Sequence, residues 1–463
     1  MTSSAELAAA LRRIVGERHV ATGPDIAPGR LSDSRVAMPP GELPAAVVYP
    51  ANAAEIAATV KLCRSMNVAV VPQGGMTGLA GGAVPLPGSV ALALDRLNRI
   101  EEIDTAAATA TVEAGVPLEL VQRAADDAGF LFALDLGARG SCQIGGVAAT
   151  NAGGNRVLRF GMMRDLVLGV EVVLADGTIV TALDKMMKNN AGYDLKQLFI
   201  GSEGTLGILS RLVLRLHPKP ASIATAFCGL ARFDDAIAFL GRARAELGGT
   251  LAAFEVMWPE FYRVAIEEAG NRPPLPAAFA CYVLVETMGT DPERDPQRFV
   301  AFMERALEEG RIADAVVARS EAERSALWHI RDASGVFSRA PGVTAGFDVS
   351  VSVGDVGGFA EDVAARLAAA FPDLRPAIFG HLADGNVHVE VMRIADEQAR
   401  RHIEAIVYGA TRDWSGSVSA EHGIGTLKKQ WLGHTRSPEE IALMRTLKAA
   451  LDPVNILNPG KVF

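Results

Sequence analysis

The chain has 463 residues, a formal net charge of -9 at neutral pH, 49% hydrophobic residues and 21% charged residues. That length predicts two or three domains with sizeable cores. The acidic balance argues against a nucleic-acid binder and gives no attraction to anionic lipid. The four cysteines, Cys63, Cys142, Cys228 and Cys281, lie far apart without a CxxC pair, so they suggest neither a zinc knuckle nor a thioredoxin-type centre. They read as free thiols in a reducing compartment.

The N-terminal stretch MTSSAELAAALRRIVGERH reads as a capped amphipathic helix. Glu6, Arg12 and Arg13 interrupt its short apolar run, which argues against a signal peptide. There is no run of 18 apolar residues, so no membrane span is expected and a soluble, cytoplasmic protein is. Between residues 46 and 116 strand and helix patterns alternate: strands at AAVVYP, VAVVPQGG, SVALALDRL and TATVEAG, and a helix at AAEIAATVKLCRSMN. PLELVQRAADDAGF (117–130) is a helix opened by proline and closed near Gly129.

The stretch 134–161 is too rich in glycine for a regular element and too long for an idle loop. Strand pairs follow at 165–180, turning at an Asp-Gly hairpin, and at 206–218. HPKPAS (217–222) marks a domain boundary. Beyond it, strand-like runs (ASIATAFCGL, LAAFEVMW, FACYVLVETM, FDVSVSV, VHVEVM) mix with helix-like runs at 232–247, 293–310, 355–371 and 396–412. This predicts an α+β domain, an antiparallel sheet with helices on one face. The tail from Ser437 reads as a capped helix and a turn-rich end.

Three glycine segments carry the first chemical signal. VVPQGGMTGLAGGAVP (70–85) runs from a strand into a loop whose backbone N–H groups can turn toward a phosphate, with Thr77 adding a hydroxyl. Alone, it reads equally as a cluster of turns. GSCQIGGVAATNAGG (140–154) and GSEGTLGI (201–208) follow, and three such segments can wrap a long dinucleotide. Neither GxGxxG nor GxxxxGK[ST] is present, which disfavours a Rossmann NAD site or a P-loop.

A second signal is HLADGNVH (381–388). His381 and His388 are seven apart, on opposite faces of an uninterrupted strand, but the Asp384-Gly385-Asn386 turn breaks that parity. With a carboxylate, best supplied by Glu421, two imidazoles suit Zn or Mn. The pair in isolation reads more readily as ordinary histidines beside a hairpin.

PQGGMTGLAGG, GSCQIGGVAATNAGG, KNNAGYDLKQLFIGSEGTLGI, HLADGNVH, SAEHGIG and LDPVNILNPGK, in this order, resemble the FAD-linked oxidase family that shares the vanillyl-alcohol-oxidase, or PCMH-type, fold. Within it they are similar to the branch of D-lactate dehydrogenase, the glycolate oxidase flavin subunit and D-2-hydroxyglutarate dehydrogenase. The resemblance runs from about residue 40 to the end. It implies an FAD-binding domain over 1–220 (PCMH-type from about 40), a substrate or cap domain over 221–415, and a segment 416–463 that returns to the flavin. Pro72, Gly74, Gly75, Thr77, Gly78 and Leu79 would hold the FAD pyrophosphate. Ser141, Gly145, Gly146, Asn151 and Gly154 would follow the ribityl chain and isoalloxazine. Glu113, Gly204 and Ile208 would lie toward the adenine, and Asn458 would bring the C-terminal segment back. The first loop has no His or Cys, so noncovalent FAD is expected.

The same resemblance implies a divalent metal, Zn or Mn, on His381, His388 and Glu421. Such an ion would chelate the hydroxyl and carboxylate of a 2-hydroxy acid and lower the hydroxyl pKa. His422 would be the base, the alternative being a second metal ligand. Arg331 stands where the family places a guanidinium for the substrate carboxylate; the alternative is a surface helix arginine. The expected activity is oxidation of a D-2-hydroxy acid, with a quinone or an electron-transfer flavoprotein as acceptor. Alternatives are an oxygen-using oxidase or the flavin subunit of a larger complex, and a homodimer is compatible with all three. The 2-hydroxyglutarate enzymes carry a lysine and an asparagine where this chain has Gly346 and Glu390. That departure favours a monocarboxylate such as D-lactate, unless Arg339, Lys428 or Lys429 supplies the missing cation.

Overall fold

Three short apolar runs near the N-terminus become neighbours in one sheet. With β1 (Val20–Ala21) as an antiparallel edge, β2 (Ala46–Val48), β3 (Val70–Gln73) and β4 (Val90–Ala93) line up in the order β1-β2-β4-β3, the last three in parallel. Parallel neighbours need a crossover, and after α1 (Ser4–Val15) the helix α2 (Ala53–Ser65) lies in one, between β2 and β3. Asn52 caps α2 by accepting the Glu55 N–H, and Ile56, Val60 and Cys63 form its buried stripe. α1 buries Leu7, Ala8, Leu11 and Val15. The structure, a computed structural model, describes residues 4–463, so the cap expected at the start of α1 lies outside the described residues.

β5 (Ile100–Asp104), β6 (Thr109–Glu113), β7 (Val167–Val173), β8 (Ile179–Ala182) and β9 (Ile208–Arg215) form an antiparallel sheet in the order β5-β6-β9-β7-β8. The Asp176-Gly177 turn joins β7 to β8, with Gly177 at φ 75°. α3 (Leu118–Asp127) follows β6. Within the glycine-rich stretch 134–161, read from sequence as irregular, Ile144–Ala149 is helical (α4). Glycine is a poor helix former, but packing requires it here. The Gly145 N–H donates to the Ala114 carbonyl (2.7 Å), and a Cβ on Gly145 would lie 2.6 Å from that of Ala114.

The chain divides into two compact units. The first holds the elements above and runs to Gly154, then Gly161–Lys219, then Glu421–Phe463; the second holds Asn155–Phe160 and Pro220–Ala420. In the second, β10 (Ser222–Leu230), β11 (Leu251–Met257), β12 (Cys281–Gly289), β13 (Asp314–Val317), β14 (Val343–Ser350), β15 (Ala377–His381) and β16 (Asn386–Ile394) make one antiparallel sheet, ordered β13-β10-β12-β11-β15-β16-β14. Its helices include α5 (Phe233–Leu247), α6 (Pro259–Glu267), α7 (Arg294–Glu308), α8 (Glu321–Arg331), α9 (Val356–Ala370) and α10 (Glu397–Asp413). α11 (Pro438–Leu451) belongs to the first unit, opened by a capping box between Ser437 and Glu440.

The fold is α+β, but the second unit carries helices on both faces of its sheet rather than one. All seven residues of β11 are buried, the pattern of a strand covered on both sides. Successive side chains point to opposite faces. Phe254 meets Phe239 of α5, which stacks in turn on Phe302 of α7, whereas Glu255 meets Arg331 of α8. On the Glu255 side, Phe227, Met257 and Leu284 of the sheet pack with Phe261 and Tyr262 of α6 and Leu327 and Ile330 of α8. Each such side chain contributes about 1.5–3 kcal/mol by burial, so α8 is firmly held on the face that carries the polar cluster described next.

Candidate functional site

In the first unit the three glycine segments converge. β3 leads through Pro72 into the first loop, where a Cβ on Gly75 would stand 1.9 Å from the Ser141 carbonyl oxygen and one on Gly74 3.7 Å from Gly146 Cα. Gly204, at φ +70°, packs on the Pro72 ring, and Ile208 opens β9 behind it. Asn458 Nδ2 donates to the carbonyls of Gly82 (3.0 Å) and Glu203 (2.7 Å), tying the first and third segments together. Asn151, at φ 50°, accepts the Arg164 N–H on its Oδ1, and Gly154, at φ 131°, lies against the Asp135 carbonyl. Thr77 and Leu79 are half-buried on the loop and Gly78 is exposed. The Glu113 carboxylate is engaged by the Arg99 guanidinium (2.8 Å) and the Arg99 N–H (2.9 Å).

Residues 30–34, not singled out from sequence, brace the first loop from outside. Arg30 Nη1 donates to the Gly74 carbonyl (3.1 Å), the Ser34 N–H to the Gly78 carbonyl (3.0 Å), and the Gly81 N–H to Asp33 Oδ2 (2.7 Å). Only the turn at Asp33, which accepts the N–H groups of Arg35 and Val36, leaves a local sequence trace. From the C-terminal side Lys461 Nζ donates to the carbonyls of Gly81 (2.8 Å) and Val84 (2.9 Å), and burial pushes its ammonium down to about 8.

The cradle fits a long cofactor with a phosphate core. Backbone reaches contact distance where no Cβ has room, and Gln73 Oε1, Gln143 Oε1 and Asn458 Oδ1 are buried acceptors without a hydrogen-bond partner in the protein. Buried acceptors of this kind call for donors, which the hydroxyl groups of a dinucleotide supply.

Glu203, in the third segment, does a separate job. Its carboxylate accepts the N–H groups of Ile424 (2.7 Å) and Gly425 (2.8 Å), fixing the loop just after Glu421 and His422. Burial pushes its carboxyl up, against the pull of those two N–H groups and of Lys428 and Lys461. Glu421 and His422 are themselves half-buried.

In the second unit, strand register places the histidines. β15 and β16 pair His381 with Asn386 and Phe379 with His388. Cross-strand partners share a face, so His388 joins Phe379 and His381 on one side of the sheet. The turn between them needs Gly385, at φ +80°, where a Cβ would lie 2.1 Å from the Val351 carbonyl oxygen. The two rings are 5.7 Å apart between centroids, and they bring ligand nitrogens within 4.8 Å of each other.

Each histidine has a buried carboxylate as cross-strand partner, neither singled out from sequence. Glu255 of β11 lies opposite His381, and its Oε1 is 2.8 Å from Nδ1. Asp348 of β14 lies opposite His388, within 4.8 Å of a ring nitrogen, and accepts from Asn386 Nδ2 (3.0 Å) and Ser419 Oγ (3.3 Å). Arg331, at the end of α8, is 7% exposed and so not a surface arginine. Its Nε donates to Glu255 Oε2 (2.6 Å), its Nη2 lies 3.1 Å from His381 Nε2, and its guanidinium covers the Phe379 ring. Burial pushes the Glu255 carboxyl up, but His381 and Arg331 more than reverse this and hold it below its usual value. A lone acid in the apolar run LAAFEVM was the available signal for Glu255. The next cross-strand pair along this face is Gly346 and Glu390.

Residues 44–183 match the FAD binding domain family and residues 219–462 match the C-terminal domain of FAD linked oxidases. The chain belongs to the FAD-linked oxidases and is an FAD-binding oxidoreductase. It is 38% identical over 456 residues to the mitochondrial D-2-hydroxyglutarate dehydrogenase of Bos taurus, covering 98% of this chain and 82% of that protein. It is 39% identical over 437 residues to the D-2-hydroxyglutarate dehydrogenase of Xanthomonas citri pv. viticola, covering 91% and 89%. Among solved structures, p-cresol methylhydroxylase with bound substrate superposes with a TM-score of 0.80 at 16% identity, over 99% of this chain and 96% of that one. The 4-ethylphenol oxidase of Gulosibacter chungangensis gives 0.77 at 19% identity, over 99% and 96%. These two share the PCMH-type fold with the present chain. Among the described residues, no helix is long and apolar enough to cross a membrane.

Proposed function

We propose that the protein is an FAD- and divalent-metal-dependent dehydrogenase that oxidises a D-2-hydroxy acid to the 2-oxo acid. The observation that carries this reading is the pair of buried histidines on one sheet face, each beside a carboxylate, with Arg331 against His381. Bound FAD supplies the hydride acceptor, and a bound divalent ion the Lewis acid for a chelating hydroxyl and carboxylate.

The chain's own residues divide the remaining tasks. Pro72, Gly74, Gly75, Thr77, Gly78 and Leu79 cradle the pyrophosphate. Ser141, Gly145, Gly146, Asn151 and Gly154 flank the ribityl chain and ring noncovalently, and Asn458 closes that region. Glu113, Gly204 and Ile208 line the adenine side. His381, His388 and Glu421 hold the ion, His422 takes the hydroxyl proton, and Arg331 orients the substrate carboxylate. An imidazole is basic enough near neutral pH for that proton.

The relatives' names point to D-2-hydroxyglutarate, and a Schizosaccharomyces pombe relative, 37% identical over 422 residues, bears the provisional name of a mitochondrial D-lactate dehydrogenase. Glu390 opposite Gly346 favours the monocarboxylate. A quinone or an electron-transfer flavoprotein takes the electrons. The four buried free cysteines suit a reducing, cytoplasmic setting.

The test is a panel of D- and L-2-hydroxy acids added anaerobically to the purified yellow protein. Flavin absorbance is expected to bleach with D-acids. EDTA is expected to abolish this, and Zn or Mn to restore it. A protein that takes up no FAD, or that no 2-hydroxy acid bleaches, overturns the reading, and full activity at verified zero metal removes the ion.

A further inference from the structure

We propose that Glu255 is a positioning residue that fixes His381 in its metal-binding form and holds Arg331 beside it; this rests on the metal reading above. Glu255 is 1% exposed in a strand with no exposed residue. A charge so placed costs a great deal unless it is paired and hydrogen-bonded. Oε1 is taken by His381 Nδ1 and Oε2 by Arg331 Nε, so one carboxylate grips both groups.

The second contact favours one form of the imidazole. A guanidinium can only donate, so a lone pair on His381 Nε2 is the state that fits Arg331 Nη2 at 3.1 Å. The ring proton then sits on Nδ1 and is donated to Glu255. This is the form in which Nε2 can bind a cation, and it is the usual role of a carboxylate behind a ligating histidine. One lone pair serves Arg331 or a cation but not both. A cation bound at Nε2 would leave the Arg331 Nη2–H to another acceptor, with Nε still on Glu255. A substrate carboxylate is an acceptor of the right charge and geometry.

A second buried carboxylate supplies the control. Register puts Glu286 on the same face as Glu255, diagonal to it: Ala253 pairs with Glu286 and Glu255 with Leu284. Glu286 is fully buried and holds α8 one to two turns before Arg331, accepting from Trp328 Nε1 (2.7 Å) and Thr225 Oγ1 (2.8 Å), with Arg324 at 3.5 Å. The contacts described for it reach neither histidine. Glu286→Gln therefore loosens the same helix without touching the ligand.

The experiment measures Zn affinity by competition with a chromophoric chelator on full-length, FAD-loaded protein. Glu255→Gln is expected to weaken it roughly 10- to 100-fold with flavin content unchanged. Glu255→Asp, which keeps the charge, should lose less, and it carries the test if the glutamine variant does not fold. Glu286→Gln should bind Zn within about twofold of wild type despite a lower melting temperature. Wild-type affinity in both Glu255 variants overturns the proposal, as does an equal loss in Glu286→Gln. His381→Ala separates the two levels. If it loses Zn while Glu255→Gln keeps it, only the positioning role falls; if it changes nothing, the metal reading falls with it.

Discussion

Gly75 lies so close to Ser141 that no side-chain carbon fits between them: a Cβ on Gly75 would be 1.9 Å from the Ser141 carbonyl oxygen. Gly146, in α4, has open space where its Cβ would be. The two glycines therefore answer differently to the same substitution. Gly75→Ala is expected to force backbone segments apart, costing 1–3 kcal/mol or so, and to lower both melting temperature and flavin content. Gly146→Ala is expected to leave the melting temperature of flavin-free protein unchanged or raised, because alanine favours the helix by about 1 kcal/mol. Its methyl would nonetheless occupy the cradle and reduce flavin uptake. Flavin absorbance relative to protein absorbance, with thermal unfolding of stripped protein, checks both. Full flavin content in Gly146→Ala would remove Gly146 from the cofactor contacts.

Lys461 gives a pH signature. Burial brings its ammonium to about 8 in the folded protein, from the ordinary 10.5. Between those values the unfolded chain holds a proton that the folded chain lacks, so this group's contribution to stability rises with pH across the window. Below about 8 the folded state bears the full cost of burying the charge. Against Lys461→Met, wild type should gain about 2 kcal/mol of relative stability from pH 7.5 to pH 10. Denaturant unfolding of both proteins at the two pH values measures it. A gap that does not move would mean that Lys461 keeps an ordinary pKa.

What the residues announced and what they hid follows from the range of the interactions. α5, α7, α9 and α10 lie within two residues of the spans read from periodicity, because each buries one stripe and leaves the rest to solvent. β15 and α6 escaped. All five residues of β15 are buried, so no alternation marks it, and α6 is only nine residues long. The glycine segments and the histidine pair were legible because their chemistry is compressed into short runs. Glu255, Asp348 and the brace at residues 30–34 were not. Their meaning lies in partners far along the chain, His381, His388 and Gly74 among them, and only strand register or tertiary contact brings these together.

Substrate choice is expected to turn on the pair Gly346 and Glu390, which face each other across β14 and β16. Gly346→Lys combined with Glu390→Asn replaces an anion with a cation and a neutral amide. A hydrogen bond to a charged group contributes about 1.5–3 kcal/mol, so kcat/KM for D-2-hydroxyglutarate relative to D-lactate should rise at least about tenfold. Steady-state kinetics with a dye acceptor reads this ratio directly. An unchanged ratio would place the specificity elsewhere.

His422 and His381 should separate in their kinetic phenotypes. His422→Ala is expected to retain both flavin and metal while kcat falls roughly 10²- to 10⁴-fold, the usual contribution of a general base. His381→Ala should lose the metal itself. Metal analysis beside rapid-mixing flavin reduction distinguishes the two. Loss of metal in His422→Ala would make that residue a ligand instead.

The hydrogen bonds that close the edge of β3 have a consequence for how the protein is made. The Val70 N–H donates to the Ile456 carbonyl (2.7 Å), and the Asn458 N–H donates to the Val70 carbonyl (2.8 Å). The strand that feeds the first glycine loop thus finds its outer neighbour in a segment translated long after it. A nascent chain on the ribosome holds β3 with an unpaired edge, an aggregation template, and with no Lys461 to grip the loop. Slow, long-range closure of this kind exposes partly folded chains to chaperones and proteases. A finished cradle for the flavin therefore requires residues 456–461 to have left the exit tunnel.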